Sequence, residues 1–248
     1  MTELEVGAVR QDEQRSLQGC LELFNRKERY WLIRNALGDP KDTLPLSSHF
    51  RERLGEKLNI TIPCDAWWAM DYHIDWLFGA LTLDRLGHAA DTCLRNPVSS
   101  TASEAAPGRL IRGTQEDFDL ILAFDRTIIL IEAKGVTSWG NKQVASKRRR
   151  LADWHELSEQ MAPDTQELKQ IEMFMVLTSP QCPKKLARLE WPSFVKLDDG
   201  VPFFLKLDLV SAPAQFYAPQ RCSEDRSTSA TGEHWKLEPS PRPKLDET

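Results

Sequence analysis

The sequence predicts an α/β fold, with a mixed central sheet flanked by helices and a helical N-terminal region. Three observations predict it. Apolar residues recur at helical spacing through much of the first 90 residues. Two nearly uninterrupted apolar runs flank the polar pair Asp125-Arg126. A third apolar run, residues 172–178, follows a long stretch of helical character. Continuous apolar runs of this length are expected of strands covered on both faces.

Taken in order, residues 17–37 predict a helix, with Leu17, Leu21, Phe24 and Trp31 on one stripe and Glu28 set within it. Gly38-Asp39-Pro40 ends it. A second helix is expected at 50–58. A third is expected at 66–86, with Trp67, Met70, Ile74, Leu77, Phe78 and Leu81 as its stripe. Asp71 borders that stripe and Asp75 lies one turn further on. Residues 96–109, rich in Pro, Ser, Thr and Ala, read as a loop, followed by a short strand at 110–112. After the two apolar strands come a loop at 135–140, a helix at 141–161 and the strand at 172–178. Residues 203–210 alternate more and belong at a sheet edge. Residues 216–221 and 234–238 pair as a last hairpin. One domain is expected over residues 1–238: a helical region at about 15–90, a core at about 67–178 and C-terminal strands at about 201–238. A disordered tail is expected at 239–248.

The strands around Asp125-Arg126 carry the chemistry. A two-residue loop pairs Phe124 with Thr127, so opposed residue numbers sum to 251. That register sets Asp119 opposite Glu132 and Asp117 opposite Lys134, all on one face. Directly opposed Cβ atoms lie about 5 Å apart, where like charges destabilise. Two carboxylates so placed call for a cation. Their oxygens, with the backbone carbonyl of Ala133, suit a hard ion that keeps several waters, such as Mg²⁺ or Mn²⁺. The plain alternative is a salt-bridged strand end.

Composition narrows the classes. The chain has 248 residues, 41% hydrophobic and 28% charged, an ordinary balance for a folded domain. Its net charge of −5 argues against nucleic-acid binding by bulk charge, though not by a local basic surface. Its five cysteines form no C-x-x-C pair, so no zinc or redox motif is expected. The polar residues 1–10 do not read as a secretory signal, and no apolar stretch approaches membrane-spanning length. The expected setting is the cytoplasm, with no membrane partner.

The text Glu116-Asp-Phe-Asp119-Leu-Ile-Leu-Ala-Phe and Ile128-Ile-Leu-Ile-Glu132-Ala-Lys134-Gly135 resembles the PD-(D/E)XK nuclease superfamily, whose fold is restriction-endonuclease-like. The resemblance covers roughly residues 67–178. Phe118 stands where the proline of the superfamily's name would be. The resemblance implies that Asp119 and Glu132 bind a divalent metal and that Lys134 assists phosphodiester hydrolysis, with DNA endonuclease activity favoured. It implies a helical acid near the metal, for which Glu28, Asp71 and Asp75 are candidates, with Asp117 also at hand. It also leaves open a homodimer, a role in restriction, phage defence or repair, and a nuclease-like module that binds without cleaving.

A second constellation is basic. Between Ala133 and Ala152 there is no acid, yet Lys134, Lys142, Lys147, Arg148, Arg149 and Arg150 are all present. Lys142, Gln143, Lys147, Arg148, Arg149 and Arg150 are expected to contact a phosphate backbone from a helix leaving the site, against the alternative of a solvated charged face. His73, among aromatics, is expected to be a hydrogen-bonded histidine at the core edge. Trp67 is expected in the core. Trp139 is the better candidate for stacking on a base.

Overall fold

A computed structural model describes residues 16–38, 44–87, 93–97, 109–113, 116–135, 141–161, 170–183, 188–207 and 215–241. It is a mixed α/β structure with five helices among those residues. The main sheet runs β1 (Trp67–His73), β2 (Asp117–Phe124), β3 (Thr127–Ala133), β4 (Glu172–Ser179). The first three strands are antiparallel neighbours and β4 lies parallel to β3. Two short strands, β5 (Val195–Lys196) and β6 (Phe203–Lys206), both pair in parallel with β4.

The β2–β3 hairpin has the register expected from sequence: Leu120 through Phe124 pair with Ile131 through Thr127, each pair summing to 251. Asp125 takes φ 46°, the left-handed conformation that a tight turn asks of its first residue. Strand β3 is covered on both sides. Ile128 and Leu130 belong to one core layer, Ile129 and Ile131 to the other. Helices α1 (Leu17–Phe24), α4 (Ile74–Leu86) and α5 (Asn141–Gln160) supply the first layer. Helix α3 (Ser48–Leu58) supplies much of the second through Leu54 and Leu58.

Three expectations are corrected. The helix expected at 17–37 is broken into α1 and α2 (Glu28–Leu37). Asn25 and Lys27 are extended there, and the Asn25 side chain accepts from the Lys27 N–H at 3.3 Å, a local bond that competes with helix propagation. The break changes the phase, so Lys27 turns inward and Glu28 is exposed. The helix expected at 66–86 is a strand followed by a helix. Residues 67–73 include two Trp and a Tyr, which favour a pleated surface, and pairing with β2 outweighs the helical spacing of Trp67, Met70 and Ile74. His73 marks the switch: its Nδ1 accepts from the Asp75 N–H at 3.3 Å, capping α4. This is the hydrogen-bonded, buried histidine expected of it, and Trp67 does pack against the core. Residues 110–112 form no named strand. Side chains hold them instead: Asp75 Oδ2 accepts from the N–H groups of Arg112 and Gly113, and Arg150 donates to the Leu110 carbonyl at 2.6 Å.

The expected C-terminal hairpin is present as a separate two-stranded sheet of β7 (Gln215–Cys222) and β8 (His234–Pro241). Strand β8 continues three residues beyond the start of the expected tail, because Pro239, Ser240 and Pro241 pair with Tyr217, Phe216 and Gln215. The remainder of that tail, residues 208–210 and Trp139 lie outside the described residues. Among the described residues no helix is long and apolar enough to cross a membrane.

Candidate active site

The site lies where β2 and β3 part. Their ladder ends at the pair Leu120–Ile131. Beyond it β2 stays with β1, pairing Phe118 with Tyr72 and Asp117 with His73. Strand β3 stays with β4, pairing Glu132 with Leu177 and Ala133 with Thr178. Asp119 fills the resulting fork. Its Oδ2 accepts from the Ala133 N–H at 2.6 Å, where a backbone carbonyl of β2 would otherwise accept. Asp119 and Glu132 are thus brought to one fork, though not as a ladder pair. Asp117 meets His73 across the sheet instead of Lys134.

Glu132 continues the face of Ile128 and Leu130, toward α5. There its Oε1 receives a hydrogen bond from Lys147 Nζ. Lys147 also donates to the Asp117 carbonyl at 2.6 Å and sits 4.7 Å from the centre of the Phe118 ring. Both partners are buried, Glu132 at 6% and Lys147 at 4% exposure. Burial pushes the Glu132 carboxyl up to about 7, with the charge of Asp119 adding to the rise; Lys147, and to a smaller degree Lys134, pull the other way. Asp119 is exposed and Lys134 half-exposed. The Lys134 N–H donates to the Thr178 carbonyl at 2.8 Å, which fixes the backbone that follows Glu132.

Whether a hard divalent cation suits this fork depends on its donors. Asp119 and Glu132 offer carboxylate oxygens. The Ala133 N–H faces β2, and in an extended residue the carbonyl points the same way. An all-oxygen set around a buried carboxylate whose ionisation is opposed fits Mg²⁺ or Mn²⁺. Among the described residues no three His, Cys, Asp or Glu side chains converge on one point.

Three of the four additional acids are paired with cations. Glu28 is exposed on the first turn of α2. Asp71 pairs with Arg29 at 2.9 Å. Its own φ is 49°, and it stands where the β1–β2 register would set it beside Asp119, in a row the ladder skips. Asp75 pairs with Arg150, and Asp117 pairs with Lys27 at 2.5 Å.

No family model, curated protein or solved structure matches the chain.

The basic helix is corrected most. Arg150 is fully buried, held by Asp75, Glu116 and the Leu110 carbonyl. With Lys147 also buried, neither offers its charge to a phosphate. The reason is helical phase: Val144, Lys147, Leu151 and Trp154 form one inward stripe. Arg148 and Arg149 remain partly exposed, and Arg148 donates to the Glu190 carbonyl at 2.6 Å. The side chains of Lys142 and Gln143 lie outside the described ones.

Sequence reasoning missed Lys27 altogether; it set Lys147 among the phosphate contacts but also, with Gln143, on a helix face pointing back at the site, and for Lys147 the structure agrees with the second placement. The spacing of Val144, Lys147, Leu151 and Trp154 was visible and could have decided for it. Nothing in the sequence pointed to Lys27, whose inward turn depends on the break at Asn25.

Proposed function

We propose that the protein is a metal-dependent nuclease that hydrolyses phosphodiester bonds in DNA. The observation that carries this reading is the fork: a buried carboxylate from β3 and an exposed one from β2 both lie where the two strands separate. The order of the core supports it, with three antiparallel strands, a helix, and a fourth strand parallel to the third. A restriction-endonuclease-like core has this arrangement, and Glu132 and Ala133 end the third strand with Lys134 directly after it.

In this reading Asp119 and Glu132, with the carbonyl of Ala133, hold one Mg²⁺ or Mn²⁺. When bound, the ion neutralises charge on the phosphate and lowers the pKa of a water. Glu132 is the inner ligand, fixed by β3 between two neighbours. Asp119 is the outer ligand, open to substrate and held in orientation by the Ala133 N–H. Lys134 follows directly after β3, close enough to lower the Glu132 carboxyl, and orients the attacking water at the phosphorus. Arg148 and Arg149, the described cations of α5 that stay partly exposed, meet the DNA backbone. The cytoplasm, and pairing of two subunits to cut two strands, complete the proposal.

The test is cleavage of plasmid and of linear DNA, with an RNA arm alongside. Activity is expected with Mg²⁺ or Mn²⁺, and its loss with chelator. Glu132→Ala and Lys134→Ala are each expected to lower the rate by at least about 100-fold, in the range of a lost transition-state contact. Undiminished cleavage by either variant would make the site assignment wrong.

One observation favours a second reading, a nuclease-like module that binds DNA or a protein partner without cleaving. Lys147 already neutralises Glu132, and one Asp119 oxygen is occupied by the Ala133 N–H. For such a module neither Mg²⁺ nor Mn²⁺ raises the melting temperature, and Asp119→Asn changes nothing in that assay.

A further inference from the structure

We propose that Lys147 is a built-in counter-cation for Glu132, which a divalent ion must displace, so that this lysine weakens metal binding and sets the concentration at which the site fills. The inference rests on the nuclease reading of the fork and concerns a residue that reading leaves unused.

The geometry shows both why the pair exists and how it can open. Lys147 lies in the inward stripe of α5, between Val144 and the Leu151–Trp154 turn. A buried ammonium there requires partners, and it has three kinds: the Glu132 carboxylate, the Asp117 carbonyl and the face of Phe118. Only the first is a metal ligand. If Glu132 turns to an ion in the fork, Lys147 keeps the Asp117 carbonyl and the Phe118 ring. The ammonium is then not stranded, which is the usual penalty for opening a buried pair. Asp117 itself stays neutralised, since its carboxylate pairs with Lys27.

The same geometry makes the two cations competitors. Lys147 and a divalent ion draw on one carboxylate, and each raises the energy of the other through like-charge repulsion. A lysine whose role is only to hold α5 against the sheet would act in the opposite sense: its loss would loosen Glu132 and weaken the metal. The sign of the effect therefore separates the two roles.

The experiment titrates the whole chain with Mn²⁺. Binding is read both by melting-temperature shift and by the electron paramagnetic resonance signal of the free ion, with no nuclease assay involved. The proteins are wild type, Lys147→Met, Lys147→Gln, Lys147→Arg and Glu132→Gln. Lys147→Met is expected to melt lower without metal and to bind Mn²⁺ at least about 10-fold tighter. Lys147→Gln, which keeps a donor for the Asp117 carbonyl, guards against a folding failure and is expected to change in the same direction. Lys147→Arg, which keeps the charge, is expected to bind about as wild type does. Tight binding by the neutral variants where wild type shows none supports the inference equally. Wild-type binding that Glu132→Gln abolishes, with no gain in either neutral variant, overturns the inference and leaves the metal site standing. No response in any of the five proteins overturns both.

Discussion

Glu132 is a carboxyl that the fold raises toward neutral pH, and the consequence is a defined pH dependence. Its carboxyl rises from 4.5 to about 7, so the folded chain binds a proton more tightly than the unfolded chain does. The associated stability is present in full at acidic pH and is lost as pH rises from about 4.5 through about 7. The shift corresponds to up to about 3 kcal/mol. Urea denaturation across that window, without metal, should show the decline, and Glu132→Gln should flatten it. The ionised form is the one that holds a cation, so Mn²⁺ binding should strengthen over the same range. Arg150 makes a second prediction. It is fully buried among Asp75, Glu116 and the Leu110 carbonyl. Arg150→Met leaves two acids facing a lost partner and should cost about 3–5 kcal/mol, seen in chemical denaturation. A selective loss of DNA affinity in a stable variant would contradict this placement.

Helix contacts decide where the buried cations point. Helix α1 packs against α4 with Gly79 facing the Phe24 ring, and a Cβ at Gly79 would come within 2.5 Å of that ring. Gly79→Ala should therefore push α1 outward and lower stability by about 1–3 kcal/mol. Because Asn25 and Lys27 follow directly, the same change should disturb the Lys27–Asp117 pair, detectable as a loss of hydrogen-exchange protection at the start of β2. Elements also differed in how legible they were. The β2–β3 hairpin could be read in register because two apolar runs bracket one polar pair and both its faces are buried. Strand β1 could not, because Trp67, Met70 and Ile74 fit a helical stripe equally well. Its partner β2 begins more than 40 residues later, beyond any local window.

For the molecule as a whole, the burial of Lys147 and Arg150 reduces the charge available to a polyanion. The chain carries a net charge of −5, and the described cations of α5 that stay partly exposed are Arg148 and Arg149. If those two and Lys142 contact phosphates, the slope of log affinity against log salt should be about −2.7. All five cations of α5 at the interface would give about −4.5. A fluorescence-anisotropy titration on a DNA duplex at several salt concentrations distinguishes them. Strands β7 and β8 are guarded in another way. Pro219, Pro239 and Pro241 all fall in the same alternate pairs of the ladder, as does Arg221, whose carbonyl turns out to meet the Ser229 N–H. Prolines at outward positions block edge pairing, so this small sheet should not draw other chains into β-aggregation.

Apolar periodicity and the polar pair at 125–126 carried the two strands and the hairpin register as far as Leu120–Ile131, and with it the nearness of Asp119 to the end of β3, because these depend on segments adjacent in sequence. Which cation faces the carboxylates there was settled only by packing. Lys147 and Arg150 read as members of one charge run, yet the phase of α5 against the sheet turns both inward to buried acids. Asp117 and Lys27 meet because β2 stays with β1 after it parts from β3, and the chain breaks between α1 and α2 at Lys27. Such contacts join segments 15 to 90 residues apart, and the desolvation that makes them matter does not exist until the core has closed.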